Sequence, residues 1–340
     1  MSLTTIKGYH GCVICLWLLL AMPLTAASSR ILVGNYVSRT IDVIDPVTNK
    51  IVQTYDTELS YMAKGSPDGS RIYTSDEDEM TLDVLDRKTG KIIKKVPLSG
   101  YPNYFEVTKD GGRAVISLRN LPGAVDIVDL TSLKLKKTIP VRGGLHALDL
   151  TRDGKYALAG SIWSSRLSVI DLQTETLAWE VQFDLGVRPI TSDTNPDGST
   201  RRVYLNLTDF HGFAVVDFAT HAEVARIMLP DEPNWYEAGG RPRNRGSHGI
   251  AVAPDNKTLW VNSASQRCVF VYSLPDLKLL GHARTGGGAD WLTFSPDGKW
   301  AYVSNGWDNT VSAIDTKTIK EVTRIPTHGD PARMSAWILP

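Results

Sequence analysis

A four-strand unit that recurs along the chain constrains its fold more than any other feature. Residues 291–325 read WLTFSPDGKWAYVSNGWDNTVSAIDTKTIKEVTRI, with four stretches that alternate apolar with polar or small residues. This alternation, rich in Val, Ile, Thr and aromatic residues, is typical of half-buried β-strands separated by polar turns. No part of residues 28–340 carries the 3.6-residue period of a helix. The chain is therefore predicted to be all-β.

A short residue at the end of each third strand counts the repeats. The seven positions are Asp45, Asp86, Asp129, Asp171, Asp217, Ser273 in place of Asp, and Asp315. The intervals between them are 41, 43, 42, 46, 56 and 42 residues, which is a propeller-blade period. An aspartate here accepts hydrogen bonds from the backbone of the next turn, so we interpret these acids as structural rather than catalytic.

The turns between first and second strands mark the repeat a second time. There are six of them, centred on Asp68, Asp110, Asp153, Asp197, Asp255 and Asp297. The chain starts with a second strand (Arg30 to Tyr36) and ends with a first strand (Arg333 to Leu339), so its two ends complete one blade. The prediction is a single seven-bladed β-propeller over residues 28–340, with four antiparallel strands per blade, closed by the N- and C-terminal strands.

Residues 1–27 predict a cleaved signal peptide. Lys7 is followed by the apolar run 12–22, Pro23 and the small residues 25–27. An uncleaved membrane anchor is the alternative, but the run is about half of the ~20 residues that a spanning helix needs. We therefore expect a periplasmic or secreted protein without stable membrane insertion. Cleavage would leave Cys268 as the single cysteine, which excludes an internal disulfide.

The charge balance narrows the range of partners. The 37 basic residues equal the 37 acidic ones, so broad attraction to nucleic acid or anionic membranes is absent. We expect no nucleic-acid partner and a monomer. The chain also lacks the Gly-x-Ser-x-Gly elbow, the phosphate-binding Gly-Lys-Ser/Thr loop, the Cys-x-x-Cys-His haem motif and the dinucleotide fingerprint.

Short strand sequences recur at one position of the repeat. They are Tyr302-Val303-Ser304-Asn305, Ile72-Tyr73-Thr74-Ser75 and Leu259-Trp260-Val261-Asn262. On these residues the chain resembles the YVTN-type β-propeller repeat family over essentially all of residues 28–340. It is also similar to exported propellers found beside pyrroloquinoline quinone and cytochrome-dependent oxidation systems, and more distantly to the propeller subunit of amine dehydrogenases. The resemblance implies the fold and a periplasmic redox partner, but propellers host many unrelated functions.

The first strands line the central channel, and their starts lie at one face, the channel mouth. Counting six residues back from the first residue of each turn gives one position per blade: Tyr61, Asn103, His146, Ile190, His248 and Asp290, with Ala332 by analogy. His211, in a loop between second and third strands, and His328, before the closing strand, are expected on the same side. Four of the seven histidines would then converge there, which predicts a ligand site at the mouth.

Two chemistries suit these residues. A divalent metal would take His146, His248 and Asp290 as ligands, whereas a metal-free site would use His146 or His248 as general base. The blade that carries Ile190 separates the two histidines, so we expect a bridging water or ligand rather than a compact zinc site. Channel histidines that only bond to water and backbone are the alternative.

Loops on the mouth face supply further candidates. The insertion 231–247 leads into His248, and its Arg241 and Arg243 offer forks for a carboxylate or phosphate. Trp163 and Trp307 could stack on a flat ligand or a protein partner. The acidic run 76–79 is read as a solvated turn, with a partner-binding patch as the alternative.

These observations favour a binding protein over an enzyme. We expect a small molecule or a redox or other protein partner to bind at the channel mouth. One alternative is a metal-assisted lactonase- or lyase-type enzyme that uses the same histidines and Asp290, with Asn103 as a further ligand. The other alternative is a pure scaffold for protein assembly.

Overall fold

The computed structural model describes Met1 and residues 28–58, 61–231 and 247–340. Most of the predicted signal peptide and most of the insertion, with Arg241 and Arg243, lie outside these residues. Within the described ranges 28 strands form seven four-stranded sheets. In that part of the chain, no helix has the length and apolar character needed to cross a membrane.

The strand bounds follow the predicted repeat. In chain order they are β1 (Ser28–Asn35), β2 (Thr40–Asp45), β3 (Lys50–Asp56), β4 (Ala63–Gly65), β5 (Arg71–Asp76), β6 (Thr81–Asp86), β7 (Ile92–Pro97), β8 (Pro102–Val107), β9 (Arg113–Leu118), β10 (Gly123–Asp129), β11 (Lys134–Val141), β12 (Leu145–Leu150), β13 (Tyr156–Ser161), β14 (Arg166–Asp171), β15 (Thr176–Gln182), β16 (Val187–Thr194), β17 (Thr200–Leu207), β18 (Gly212–Asp217), β19 (Ala222–Met228), β20 (Ile250–Val252), β21 (Thr258–Ser263), β22 (Cys268–Ser273), β23 (Leu279–Arg284), β24 (Ala289–Phe294), β25 (Trp300–Asn305), β26 (Thr310–Asp315), β27 (Lys320–Pro326) and β28 (Pro331–Leu339).

The two chain ends share one blade, as the sequence predicts. The sheet order there is β28-β1-β2-β3, and β28 pairs antiparallel with β1 from Ser28↔Leu339 to Val33↔Met334. We number this blade 1, and blades 2 to 7 follow in chain order from β4 to β27. Through this closing pair β1 is hydrogen-bonded on both sides, and β28 becomes the inner strand of the blade.

The acids that end the third strands fix the next turn. Asp86 Oδ1 accepts a bond from the Thr89 backbone N–H at 2.8 Å, and Asp315 accepts one from Thr318 at 2.8 Å. Hydrogen bonds from Thr89 lower the pKa of Asp86. The structural role assigned to these aspartates from the sequence is confirmed.

The core lies between neighbouring blades. Second and third strands are buried along nearly their whole length, whereas fourth strands such as β3 are mostly exposed. Trp260 of blade 6 meets Phe294 of blade 7 edge to face at 5.7 Å, and both are buried. The single cysteine of the described residues, Cys268, is buried and forms no disulfide bond. Stability in this region therefore comes from packing and hydrogen bonds.

A β-bulge interrupts the first strand at the same height in five blades. In blade 4, Leu145 pairs with Ser161 and Ala147 with Gly160, so His146 has no partner across the ladder. The same shift occurs at Asn103 in blade 3. In blades 5, 7 and 1, two residues of the first strand face one residue of the second strand. The two residues are 188–189, 290–291 and 332–333, respectively. Bulges re-aim side chains, and here they direct one residue per blade at the channel.

A candidate site at the channel mouth

The starts of the seven first strands bring one polar side chain from each blade together. In blades 2 and 6 the first strand begins at Ala63 and Ile250. Tyr61 and His248, two residues before these starts, take the place of the bulged residue. We call the set the mouth ring: Tyr61, Asn103, His146, Arg188, His248, Asp290 and Arg333. The contacts below connect its members.

His248 is oriented by Asp290. Its Nδ1 lies 3.0 Å from Asp290 Oδ1 and 3.2 Å from the Asp290 carbonyl oxygen. Both neighbours accept hydrogen bonds, so Nδ1 carries the proton in the neutral ring and Nε2 is left with its lone pair. The imidazole also meets Trp291 edge to face at 5.1 Å. This arrangement suits a general base.

His146 contacts His248 directly. The ring centroids are 5.8 Å apart at an interplanar angle of 73°. The expectation that blade 5 keeps these rings apart is wrong, because the bulge in β12 directs His146 toward the channel axis. In the described part of the chain, His146 Nε2 is buried and has no hydrogen-bond partner.

Burial keeps both imidazoles neutral. It lowers the pKa of His146 well below its usual value, and His248, Arg333, Arg188 and Arg119 lower it further. Burial also lowers the pKa of His248, although Asp290 acts in the opposite direction. Both rings are therefore unprotonated at pH 7, as a base must be.

Arg333 is a buried cation at the base of the ring. It is 2% exposed, and its guanidinium donates to the Asn103 carbonyl oxygen and, at 2.7 Å, to Asn103 Oδ1. Its Cζ lies 4.8–5.0 Å from the ring centroids of Tyr61, Tyr104 and Trp291.

No carboxylate among the described residues pairs with Arg333, and its Nε is buried without a partner. Asp290 and Glu77 act on the Arg333 charge from further away. A buried cation that no carboxylate contacts favours an anion nearby. Arg188 adds positive charge, since it lowers the pKa of both ring histidines. The mouth is therefore suited to an anionic ligand.

Two predicted positions of the ring need correction. Ile190 lies further along β16, paired with Leu205, and Arg188 stands at the mouth instead. Ala332 is likewise replaced by Arg333. Counting back from the turns fails because β16 has eight residues and shifts register at both of its ends.

A different reference point would have found Arg188. Each of Gly144, Gly186 and Gly288 stands two residues before a ring member. Counting forward from these glycines gives His146, Arg188 and Asp290. Arg333 lies four residues after Gly329 instead of two, so the same count does not find it.

The other predicted residues have different partners or are exposed. His211 is 8% exposed and its Nε2 lies 2.9 Å from Gln266 Nε2, between blades 5 and 6. His328 Nδ1 lies 2.7 Å from Asp42 Oδ1, which fastens the loop before β28. Trp163 and Trp307 are 55% and 38% exposed at the tips of loops between second and third strands.

The predicted metal ligands do not form a three-ligand group. Across residues 28–58, 61–231 and 247–340, one group of three candidate atoms lies within 4.8 Å, and it comprises Glu58, Asp76 and Asp83. Lys95 already pairs with Glu58 there. A metal at His146, His248 and Asp290 stays a prediction.

Comparison with known proteins points to propeller lactonases. The family model "Lactonase, 7-bladed beta-propeller" matches residues 218–337, a stretch that contains His248, Asp290 and Arg333. The chain resembles lactonases there. No curated protein matches it.

Two solved structures share the fold. Hydrazine synthase of Kuenenia stuttgartiensis is 18% identical with a TM-score of 0.69, covering 82% of this chain and 90% of that one. A Bacteroides fragilis protein assigned as a 6-phosphogluconolactonase is 16% identical with a TM-score of 0.72, covering 92% and 99%. At these identities the likeness supports the seven-bladed architecture alone, and the YVTN-type resemblance stays a prediction.

Proposed function

We propose that the channel mouth binds a small molecule that carries a carboxylate or phosphate, and hydrolyses a lactone ring in it. The observation that carries this proposal is the His248–Asp290 pair, with Nδ1 and Oδ1 3.0 Å apart. This pair leaves a neutral imidazole with a lone pair on Nε2, near a buried arginine that no carboxylate contacts. The match of residues 218–337 to a lactonase family supports the same reaction class.

The reaction needs a base and a proton donor in turn. Water attacks the lactone carbonyl carbon while His248 Nε2 accepts its proton. The ring C–O bond then breaks, and the departing alkoxide oxygen takes the proton back from the imidazolium. Asp290 stabilises the imidazolium between these steps. General base catalysis of this kind contributes about 10²–10⁴-fold.

The acid group of the substrate would lie over the cationic side of the ring. Arg333 and Arg188 supply the charge, and Asn103 holds the Arg333 guanidinium in place. If the protein binds this group equally well in the ground state and the transition state, removing the group would raise KM and leave kcat nearly unchanged.

Hydrolysis of two lactones tests the proposal. D-glucono-δ-lactone is the neutral probe and 6-phospho-D-glucono-δ-lactone the phosphorylated one. We expect the purified chain to hydrolyse the phosphorylated lactone with the higher kcat/KM, and His248→Asn to lower that value about 10²–10⁴-fold. His282→Asn, in β23 of the same blade, is the matched control. Hydrolysis at the buffer rate, or equal rates for both variants, would reject the proposal.

A protein partner at the mouth face is the second candidate. Leu121, Trp163 and Trp307 are 70%, 55% and 38% exposed on loops of this face. Exposed apolar tips around a ligand site favour docking of the periplasmic redox protein that the sequence predicts. Loss of capture of a candidate cytochrome by Trp163→Ala with Trp307→Ala, with capture kept by His248→Asn, would favour this function over hydrolysis.

A further inference from the structure

The central channel contains a second chamber below the mouth ring. Tyr104 and Trp291, which contact Arg333, also line a cavity of about 470 Å³. It extends to Pro254 and Pro296, in the turns at the opposite face of the propeller. We call it the lower cavity. Its volume lies in the range of small-molecule sites.

Most charged groups in the lower cavity already have hydrogen-bond partners within the protein. Lys64 Nζ lies 2.6 Å from Glu106 Oε1. Arg152 reaches from blade 4 to blade 6 and donates to the carbonyl oxygens of residues 252, 253 and 254 at 2.8, 2.8 and 3.1 Å. Neither cation is therefore free to serve as the partner of an entering anion.

Asp149 differs from these groups. One carboxylate oxygen accepts from the Leu150 N–H at 2.9 Å, and no lysine or arginine of the described chain lies within 4.0 Å of it. Burial raises the pKa of Asp149 to about 8, and Glu106 adds to the shift, against Lys64 and Arg152. The group is therefore a neutral carboxylic acid at pH 7, with an O–H to donate.

The remaining wall combines apolar surface with hydroxyl groups. Apolar side chains include Ile190, Ile250 and Leu292, and Thr191 and Thr293 add polar atoms. An ion that entered would lose its hydration, and the charged groups that could compensate it are already bonded within the protein, so its entry is costly. A molecule with several hydroxyls could instead accept from Asp149 and donate to Glu106.

We propose that the lower cavity is a second binding site, for a small neutral polyhydroxylated molecule such as a cyclitol or a monosaccharide. The Glu106 carboxylate accepts hydrogen bonds from its hydroxyls, and the Asp149 carboxyl group donates one. Trp291 packs against its apolar face. This site is separate from the mouth, although Trp291 borders both.

Titration calorimetry at pH 7 with myo-inositol and D-glucose tests the proposal, with D-glucuronate and D-glucosamine as charged probes. We expect a millimolar Kd for at least one neutral probe, and at least tenfold weaker binding of both charged ones. Asp149→Leu and the cavity-filling Ala251→Phe should each weaken binding at least tenfold. Asp276→Asn, on the surface, is the control and should leave the Kd unchanged.

A change of pH separates the two carboxyl groups. Asp149 faces Glu106, Lys64, Arg152 and Tyr104, and its own ionisation removes the donated bond. Binding should weaken at least tenfold between pH 7 and pH 9.5 in the native chain, and Asp149→Asn, which keeps an N–H donor, should bind with little pH dependence.

One variant of the mouth separates this proposal from lactone hydrolysis. His248→Asn should bind the neutral probe with the native Kd, whether or not the chain hydrolyses lactones. The absence of binding by both neutral probes, equal binding of a charged probe, or native affinity in Ala251→Phe would overturn the lower-cavity proposal.

Discussion

At the scale of single residues, the chemistry of the mouth depends on which nitrogen of His248 holds the proton. Asp290 settles this through its contact at 3.0 Å, since a carboxylate can only accept from Nδ1–H. The side chain of Asp290 is 39% exposed, whereas that of His248 beside it is 14% exposed. A change at Asp290 therefore alters the base without emptying the site.

Asp290→Asn is expected to lower kcat of lactone hydrolysis about 10–10²-fold and to leave KM within a factor of about three. An amide oxygen still accepts from Nδ1–H, but it does not stabilise the imidazolium as a carboxylate does. Steady-state kinetics with 6-phospho-D-glucono-δ-lactone measures both constants. A rise in KM with kcat unchanged would show that Asp290 binds substrate instead of orienting His248.

The buried imidazoles make the stability of the fold depend on pH. Their pKa values are lowered in the folded chain, so the unfolded chain binds more protons once the pH falls below about 6.5. We expect the melting temperature to fall as the pH is lowered from 7 to 5. His146→Leu should reduce this slope, and an unchanged slope would contradict burial as the cause.

At the scale of strands, the sequence predicts strand order, turns and closure, but it does not predict bulges. An aspartate at a strand end or a Pro-Asp-Gly turn can be recognised in the sequence because the turn geometry requires those residues. An extra residue within a strand has no such requirement, so a count from the turn misses the shift that replaces Ile190 with Arg188, and only the preceding glycine marks it. The sequence locates His146 and His248 because each lies six residues before the first residue of its turn, a spacing that β16 does not keep.

Serine hydroxyls support two of these bulges. Ser304 Oγ accepts from the Trp291 N–H at 3.0 Å, and Ser117 Oγ accepts from the Tyr104 N–H at 3.1 Å. Both serines are fully buried and face the bulge across the ladder. Each hydroxyl accepts a hydrogen bond from a backbone N–H at the register shift.

Ser304→Ala should lower the free energy of unfolding by about 1–3 kcal/mol, because it leaves a buried N–H without a partner. It should also lower kcat, since Asp290 precedes Trp291 in the same bulge. Urea unfolding and lactone kinetics measure the two effects. Ser117→Ala is the matched control, with a similar loss of stability but a rise in KM, because its bulge holds Asn103 and thereby Arg333. Native kcat in Ser304→Ala would mean that the bulge does not position Asp290.

At the scale of the whole molecule, the closing strand β28 also fastens blade 1 to blade 2. Trp337 is 4% exposed, its Nε1 donates to the Ser66 carbonyl oxygen at 2.8 Å, and its ring lies against Gly65. A Cβ at residue 65 would lie 2.1 Å from that ring, so glycine is required. Ser335 adds a bond to the Ala63 carbonyl oxygen at 2.6 Å.

Trp337→Ala is therefore expected to lower the free energy of unfolding by about 3–5 kcal/mol. Ile338→Ala, one residue along the same strand and 57% exposed, removes a side chain that the ring closure does not use, and it should change stability by less than about 1 kcal/mol. Urea unfolding followed by circular dichroism compares the two. The chain runs continuously through the other blades, so the ring of blades is closed only by the pairing of β28 with β1. Equal losses of unfolding free energy in both variants would mean that this closure contributes no more to stability than an exposed strand position does.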